Sequence, residues 1–457
     1  MNVTLSELAG WCGGKIVPAD AGDLVVRGVS TDSRTIREGE LFVAIDGLNQ
    51  DGHRFIRFAA AAGAVAAVVE KNTHDSGRLP LIYVDDSLDA LGRMANGYRW
   101  HPPLIPWVAV AGANGKTTTR QLLSLILASR WKVRLSQRNW NNFIGLPLSM
   151  MGPPDDAGVA VMEMGTARPG DIAKLREICV PTVGIVTSTG QSHLGGFENT
   201  QAVAREKADI FGWLPPDGLA VYPADDPNTD ILRGAVIHRG ASFSIRSDVQ
   251  ADLVARDIEV TADGSQFTVD GGVRVLLPLL GRHNIGNCLA AMLAARHLGI
   301  DYAEAGRAIL TAKPVSGRLQ AIRTPARLTI INDSYNANPD SALAALEVLA
   351  DFPDGRKIVV FGDMMELGPD SRRWHRELGL AVGMMDLDAL FVTGPETAAM
   401  AEAAQVNARI VVRHFQSIEA LWLTLRTFLK PGDQILVKGS RGMLMERVVG
   451  QLQEWFP

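Results

Sequence analysis

Lysine and two threonines stand at the end of the turn Gly112-Ala113-Asn114-Gly115-Lys116-Thr117-Thr118, directly after the apolar run 107–111 and before a helix-like stretch at 121–130. A strand, a glycine-rich turn and a helix in that order build a cradle for phosphate: backbone N–H groups and the helix macrodipole both favour an anion there. Lys116 is placed to reach β- and γ-phosphates, and the Thr117 hydroxyl to ligate Mg²⁺. The usual pattern has a glycine five residues before the second glycine, where this chain has Val110, so the turn is a shortened form. These residue types at this spacing imply a nucleoside triphosphate site.

Other polar residues end apolar runs or open helices. Glu163 closes the run 159–162, and its carboxylate would complete a Mg²⁺ shell begun by Thr117, because Mg²⁺ takes hard oxygen ligands. Asn284 and Asn287 lie three apart on a helix that opens near Gly281, hence on one face. Their amides suit the donor–acceptor edge of adenine, although Asn284 reads equally well as a helix N-cap. Arg318 sits just past a Pro/Gly break, where a guanidinium reaches a γ-phosphate if domains close. Asp333, at a strand end, is a candidate base or a partner for a substrate ammonium. Lys438 and Arg441 bring positive charge to the end of the last strand, where a carboxylate would sit. His193 reads alone as a surface loop histidine, and Lys207 as a solvated helix lysine.

The elements that position these groups follow an α/β pattern. Strand-like runs at 328–332, 357–361, 389–393, 410–413 and 434–438 alternate with helical stretches starting near Ser341, Arg372, Glu396, Ser417 and Met443. That spacing predicts a parallel sheet flanked by helices, with ligands at the carboxyl ends of the strands. Strands at 107–111, 159–163 and 183–188 predict a similar central domain, and the segment before residue 103 mixes short strands, such as 40–45, with an Ala-rich helix. Proline and glycine at His101-Pro102-Pro103 and at Lys313-Pro314-Val315-Ser316-Gly317 divide the chain into domains 1–102, 103–314 and 315–457.

Composition narrows the class. With 47% hydrophobic and 21% charged residues, a net charge of −5 and no basic cluster, the 457-residue chain has no nucleic-acid footprint. Three scattered cysteines predict buried free thiols in a reducing cytoplasm. No signal peptide or membrane-spanning segment is read, and the expectation is a monomeric cytoplasmic enzyme. A nucleotide-driven switch or motor is disfavoured because there is no Asn-Lys-x-Asp guanine-reading motif.

Read together, the motifs resemble the Mur ligases, ATP-dependent amide-bond-forming enzymes of bacterial cell-wall synthesis. The resemblance rests on Ser30-Thr31-Asp32-Ser33-Arg34, Gly39-Glu40-Leu41-Phe42-Val43-Ala44, Asp51-Gly52-His53 and the shortened turn itself, which is that family's form. Three stretches are similar to the branch that adds D-alanyl-D-alanine to UDP-N-acetylmuramoyl-tripeptide. They are Asp333-Ser334-Tyr335-Asn336-Ala337-Asn338-Pro339, Gly362-Asp363-Met364-Met365-Glu366-Leu367-Gly368, and Asn139-Trp140-Asn141-Asn142-Phe143-Ile144-Gly145-Leu146-Pro147-Leu148; a fourth, shorter one is Glu163-Met164-Gly165. The runs 335–339 and 362–368 argue against a sister ligase or a folylpolyglutamate-type synthetase.

The resemblance implies a small N-terminal α/β domain for the UDP-sugar peptide, a central P-loop-type α/β ATPase domain, and a C-terminal Rossmann-like parallel-sheet domain for the dipeptide. It implies ATP and two Mg²⁺ ions, with Thr117, Glu163, His193 and a carbamate on Lys207 as metal ligands. It further implies that Gly112, Asn114, Gly115, Lys116, Thr117, Thr118, Asn284, Asn287 and Arg318 bind ATP, with Lys116, His193, Lys207 and Arg318 catalytic. Ser30, Thr31, Asp32, Ser33, Asn141 and Asn142 would contact the UDP-substrate, and Asp333, Tyr335, Asn336 and Asn338 the dipeptide. One departure is visible: Pro223-Ala224-Asp225-Asp226 stands where the family pattern has Asn-Ala-Asp-Asp.

Overall fold

The computed structural model describes residues 1–47, 50–70, 78–137, 139–190, 196–353 and 355–456. Three α/β bodies follow one another along the chain, as the motif spacing predicts. The N-terminal body carries a five-stranded sheet ordered Lys15–Val17, Leu81–Val84, Ala66–Glu70, Glu40–Val43, Gly28–Ser30, parallel except for its first strand.

The central body is a seven-stranded parallel sheet with Trp107–Ala111 flanked by Val159–Glu163 and Val183–Val186. All three strands are buried along their whole length. That explains why they read as unbroken apolar runs, since a parallel strand covered by helices on both faces has no solvent side to mark with polar residues. Helices Lys116–Leu127 and His283–His297 cover one face. A three-stranded antiparallel sheet, Arg256–Thr261, Gly264–Val269 and Val273–Leu277, follows the last strand and has no counterpart in the expected pattern.

The C-terminal body holds six strands ordered Gln320–Arg323, Thr329–Asp333, Gln434–Lys438, Lys357–Gly362, Ala389–Thr393, Val411–Phe415, parallel except for the first. Its five parallel strands lie within two residues of the expected bounds, whereas the antiparallel edge strand Gln320–Arg323 has no expected counterpart.

One continuous apolar core joins the N-terminal and central bodies. Leu41, Val43, Leu91 and Met94 belong to the same cluster as Trp107, Ala109, Ala160 and Met162. Helix Ser87–Arg99 is the connector: the Asn96 amide donates to the Glu177 carbonyl at 2.9 Å, and Arg99 Nε to the Val180 carbonyl at 3.1 Å. The C-terminal body packs on its own two clusters, one on each face of its sheet. Among the described residues, no helix is long and apolar enough to cross a membrane, and the three cysteines are free and buried.

Candidate active site

The phosphate turn is shaped by two glycines that no other residue could replace. Gly112 has φ +149, and a Cβ there would stand 2.0 Å from Thr187 Oγ1; Gly115 has φ +84, and its Cβ would stand 2.1 Å from Asn287 Oδ1. Both positions combine a backbone shape that favours glycine with no room for a side chain. Between them, the Asn114 N–H donates to Ser188 Oγ at 3.1 Å, while the Asn114 carbonyl accepts from the Thr187 hydroxyl at 2.5 Å. Helix Lys116–Leu127 starts immediately, with Gly115 as its cap. Lys116 Nζ lies over the turn, donating to the carbonyls of Gly112 at 2.6 Å and Ala113 at 3.4 Å. Burial pushes its pKa down to about 8, against the pull of Glu163 and with a smaller push from Arg318.

This turn forms one wall of a cleft of about 690 Å³ between the central and C-terminal bodies. Asn114, Gly115, Lys116, Thr117, Thr118, Glu163, Asn284 and Asn287 line the central side, together with Asn141. Arg318, Asp333, Tyr335, Asn336 and Asn338 face them. Gly112, Lys207, Ser30, Thr31, Asp32, Ser33 and Asn142 are not on the cleft wall, and His193 lies outside the described residues. The walls meet at a reciprocal amide pair: Asn338 Nδ2 donates to Asn114 Oδ1 at 2.9 Å, and Asn114 Nδ2 to Asn338 Oδ1 at 3.4 Å. Asn338 also caps helix Pro339–Ala350 by accepting from the Ser341 N–H at 2.9 Å.

Glu163 is buried, and its Oε1 accepts no hydrogen bond. Its N–H donates to Ser136 Oγ at 2.8 Å, and the Arg120 guanidinium lies 3.4 Å from Oε1. An ionised oxygen without a hydrogen bond at the floor of a polar cleft, on the same side as the Thr117 hydroxyl, fits a Mg²⁺ ligand.

Asn284 does not cap its helix. It sits inside the first turn of His283–His297, which has Arg282 as cap without a side-chain bond, and Asn284 Nδ2 donates back to the Leu280 carbonyl at 2.7 Å. Asn287 donates to Asn284 Oδ1 at 2.8 Å and accepts from Thr119 Oγ1 at 3.3 Å, directly beneath Gly115. The two amides thus build the floor under the turn, and the N-cap reading is overturned.

Lys207 is not a solvated lysine. Helix Thr200–Ala208 buries it, and burial, aided by the nearby Lys116, lowers its pKa to about 7. The preceding residue, Glu206, is also buried and accepts from the N–H groups of Ile172 at 2.8 Å and Gly170 at 2.7 Å, and from the Thr166 hydroxyl at 3.1 Å. The helix face is buried because the loop leaving Glu163 wraps over it. No apolar periodicity announces this.

Across the cleft, the Arg318 guanidinium stacks on the Tyr335 ring at 4.3 Å, with Arg441 5.9 Å from the same ring. Asp333 is not available as a base. Its Oδ2 accepts from Lys438 Nζ at 2.5 Å and its Oδ1 from the Leu319 N–H at 3.0 Å. The same pair neutralises Lys438, which also donates to the Asn336 carbonyl at 2.9 Å. Arg318 stands on this wall of the cleft as a further cation, while Arg441 pairs with Glu446 at 2.7 Å.

In the N-terminal body, Ser30 ends the edge strand and Asp32 holds Arg34 through two bonds of 2.9 and 2.7 Å, which lower the carboxyl pKa to about 2. Asn142 accepts from the N–H groups of Ile144 at 3.2 Å and Gly145 at 2.8 Å, in the turn that leads into helix Gly145–Met150.

One cleft-lining cluster escapes the motif reading. Thr189 and Asn228 close around Asp226, with Thr189 Oγ1 donating to Asp226 Oδ1 at 2.5 Å and Asn228 Nδ2 donating to Thr189 Oγ1 at 3.0 Å. Asp226 follows the departure at Pro223. That proline ends the strand Leu219–Pro223, and the Asp225 and Asp226 side chains remain engaged despite it.

A parallel-sheet phosphate turn facing a second α/β body across a polar cleft matches one family along nearly the whole chain. The Mur ligase family catalytic domain matches residues 25–99, the Mur ligase middle domain residues 110–295, and the Mur ligase glutamate ligase domain residues 317–441. The chain belongs to the Mur ligase family. A relative from Escherichia coli K12, named UDP-N-acetylmuramoyl-tripeptide–D-alanyl-D-alanine ligase, is 35% identical and covers 99% of each chain. The crystal structure of MurF from Acinetobacter baumannii superposes with a TM-score of 0.92 at 29% identity, covering 99% of each chain. MurF ligase from Thermotoga maritima in complex with ADP has a TM-score of 0.83 at 29% identity, covering 94% of this chain and 98% of that one.

Proposed function

We propose that the protein joins D-alanyl-D-alanine to UDP-N-acetylmuramoyl-tripeptide with hydrolysis of ATP, producing UDP-N-acetylmuramoyl-pentapeptide, ADP and phosphate for peptidoglycan synthesis. The observation that carries this reading is the match over 99% of the chain to a ligase of that name. The opposed walls of the cleft agree with it.

A carboxylate is a poor acceptor for an amine because its leaving group would be oxide. Phosphorylation removes that obstacle. The tripeptide's terminal carboxylate attacks the γ-phosphate, forming an acyl phosphate and ADP; the dipeptide's free amine then attacks the acyl carbon and phosphate departs. The first step requires alignment and charge compensation, which we assign to Lys116 and Arg318 from opposite walls. The Gly115 N–H, with Thr117 and Thr118, would cradle the phosphates on a turn that Gly112 and Asn114 shape, and Asn284 and Asn287 form the floor that holds the turn. Tyr335, Asn336 and Asn338 would face the dipeptide, with Asp333 fixing Lys438 behind them. Ser30, Thr31, Asp32 and Ser33 would meet the UDP-sugar and Asn141 and Asn142 its peptide, so that residues 1–102, 103–314 and 315–457 bind the three substrates in order.

Thr117 and Glu163 would hold one Mg²⁺. His193, with Lys207 once its neutral amine has taken up CO₂ as a carbamate, would hold a second. Bound there, the ions offset the charge on ATP and the two carboxylates. We place the enzyme in the cytoplasm as a monomer.

Phosphate release by the purified protein with ATP, Mg²⁺ and UDP-N-acetylmuramoyl-tripeptide should require D-alanyl-D-alanine, with the pentapeptide found by mass spectrometry. Release that ignores both substrates overturns the reading. Lys116→Ala should cut that release by about a thousandfold or more while its circular dichroism stays that of wild type, because the group acts on charge in the transition state.

A further inference from the structure

Arg120 is a buried cation at the metal end of the cleft that the reaction above does not use. It stands four residues after Lys116 and three after Thr117 in helix Lys116–Leu127, hence on the same face as both. Its guanidinium is fixed by donating to the Ser136 carbonyl at 2.5 Å, and it lies 3.4 Å from Glu163 Oε1. Ser136 anchors both partners, since its hydroxyl accepts from the Glu163 N–H at 2.8 Å. The Arg120 side chain is 12% exposed and that of Glu163 2%, so water screens the pair weakly. Lys116 adds a second positive charge close enough to feel Glu163.

We infer that Arg120 is a resident counter-ion of Glu163, which keeps this carboxylate from capturing a free divalent cation and admits the metal only together with nucleotide. The inference rests on the proposed nucleotide reading of the cleft. Its physics is a matter of sign. Two cations beside one carboxylate offset its charge locally, and in a poorly solvated site they oppose an incoming divalent ion. A polyphosphate on the turn would reverse the sign, and Glu163 Oε1, which accepts no hydrogen bond, would then be available to a metal without Arg120 having to leave. A lysine or arginine three or four residues after the phosphate lysine would otherwise be expected to point to solvent, but here it is buried against the metal ligand.

The test is Mn²⁺ binding to the full-length protein, followed by electron paramagnetic resonance with and without ADP. Mn²⁺ takes the same hard oxygen donors as Mg²⁺. Wild type should bind Mn²⁺ at least about tenfold more tightly with ADP than without, and Arg120→Gln should bind nucleotide-free Mn²⁺ about tenfold more tightly than wild type, a change of about 1.4 kcal/mol. Arg120→Lys, which keeps the charge, should behave as wild type, and Glu163→Gln added to Arg120→Gln should erase the gain. Equal nucleotide-free binding by wild type and Arg120→Gln overturns the inference. If Arg120→Gln fails to fold, Arg120→Met removes the same charge; and tight nucleotide-free Mn²⁺ binding by wild type overturns the inference without any variant. Calorimetric ADP binding separates the two readings: no ADP binding refutes the nucleotide site, whereas ADP binding with unchanged Mn²⁺ affinity in Arg120→Gln refutes the counter-ion alone.

Discussion

Lys116 and Lys207 are both driven toward the neutral amine by burial, to about 8 and about 7. For Lys207 this has a consequence for stability. Above pH 7 the folded protein holds Lys207 neutral, while the unfolded chain keeps it protonated up to the ordinary value of 10.5. The unfolded state therefore binds more protons across that window, and stability rises with pH from about 7 to 10.5. Below pH 7 the folded state carries the full cost of a buried charge. Lys207→Met, of similar length and without charge, should unfold at a higher temperature than wild type at pH 6, and this advantage should shrink as pH rises to 9. Thermal unfolding of the two proteins across that range checks it, and a gap independent of pH would refute the buried-amine assignment. The same variant should lose ligase activity. At this scale the sequence was legible where chemistry is local, as in Gly115-Lys116-Thr117. It was illegible at Lys207 and Asp333, whose states depend on the loop around 166–172 and on Lys438, a partner 105 residues away.

Elements show a similar division, set by how each is buried. Strands covered on both faces announce themselves as apolar runs, so the strands flanking the phosphate turn and the central strands of the C-terminal sheet could be placed from their runs alone, while the half-buried edge strand Gln320–Arg323 could not. The antiparallel sheet 256–277 could not, because its first strand, Arg256–Thr261, is exposed or half-buried along its whole length and carries polar residues throughout. Helix Asp171–Cys179 is another case: it has no cap from its own segment, and Glu206 supplies one from a neighbouring helix by accepting from Gly170 and Ile172. Removing this carboxylate leaves the N–H groups of Gly170 and Ile172 without their acceptor, while the Thr166 hydroxyl keeps the Arg168 carbonyl at 3.0 Å. Glu206→Ala should therefore destabilise the protein by about 1–3 kcal/mol in urea unfolding. Glu206→Gln, which keeps one carbonyl oxygen, should lose less. Equal loss in both variants would mean that charge, and not the hydrogen bonds, is what this position contributes.

The whole molecule has one strong and one weak junction. The N-terminal and central bodies share a continuous apolar core, which large relative motion would have to break. The C-terminal body meets the central one through the half-buried Asn114–Asn338 pair, through Arg323 with Asp263 at 2.7 Å, and through Leu280, which packs into one of the C-terminal clusters. These contacts hold less than a continuous core does, and an exposed pair such as Arg323–Asp263 contributes little, so the cleft is the natural place for the molecule to open and close. Neither junction could be read from the sequence, because both depend on which faces meet between residues 60 to 224 positions apart in the chain. The Asn pair is the contact placed directly at the phosphate turn, and Asn338 can be changed without unmaking its helix. Serine caps a helix as well as asparagine does but is too short to reach Asn114. Asn338→Ser should therefore keep the melting temperature within a few degrees of wild type while shifting the ligand-free protein toward a more open form. In small-angle scattering its radius of gyration should exceed that of wild type, and saturating ADP and Mg²⁺ should narrow the difference. Turnover should fall while the KM for ATP changes less, since the nucleotide is bound by the central wall and the pair acts on closure. An unchanged radius of gyration with normal turnover would show that the two walls are held together by something other than these amides.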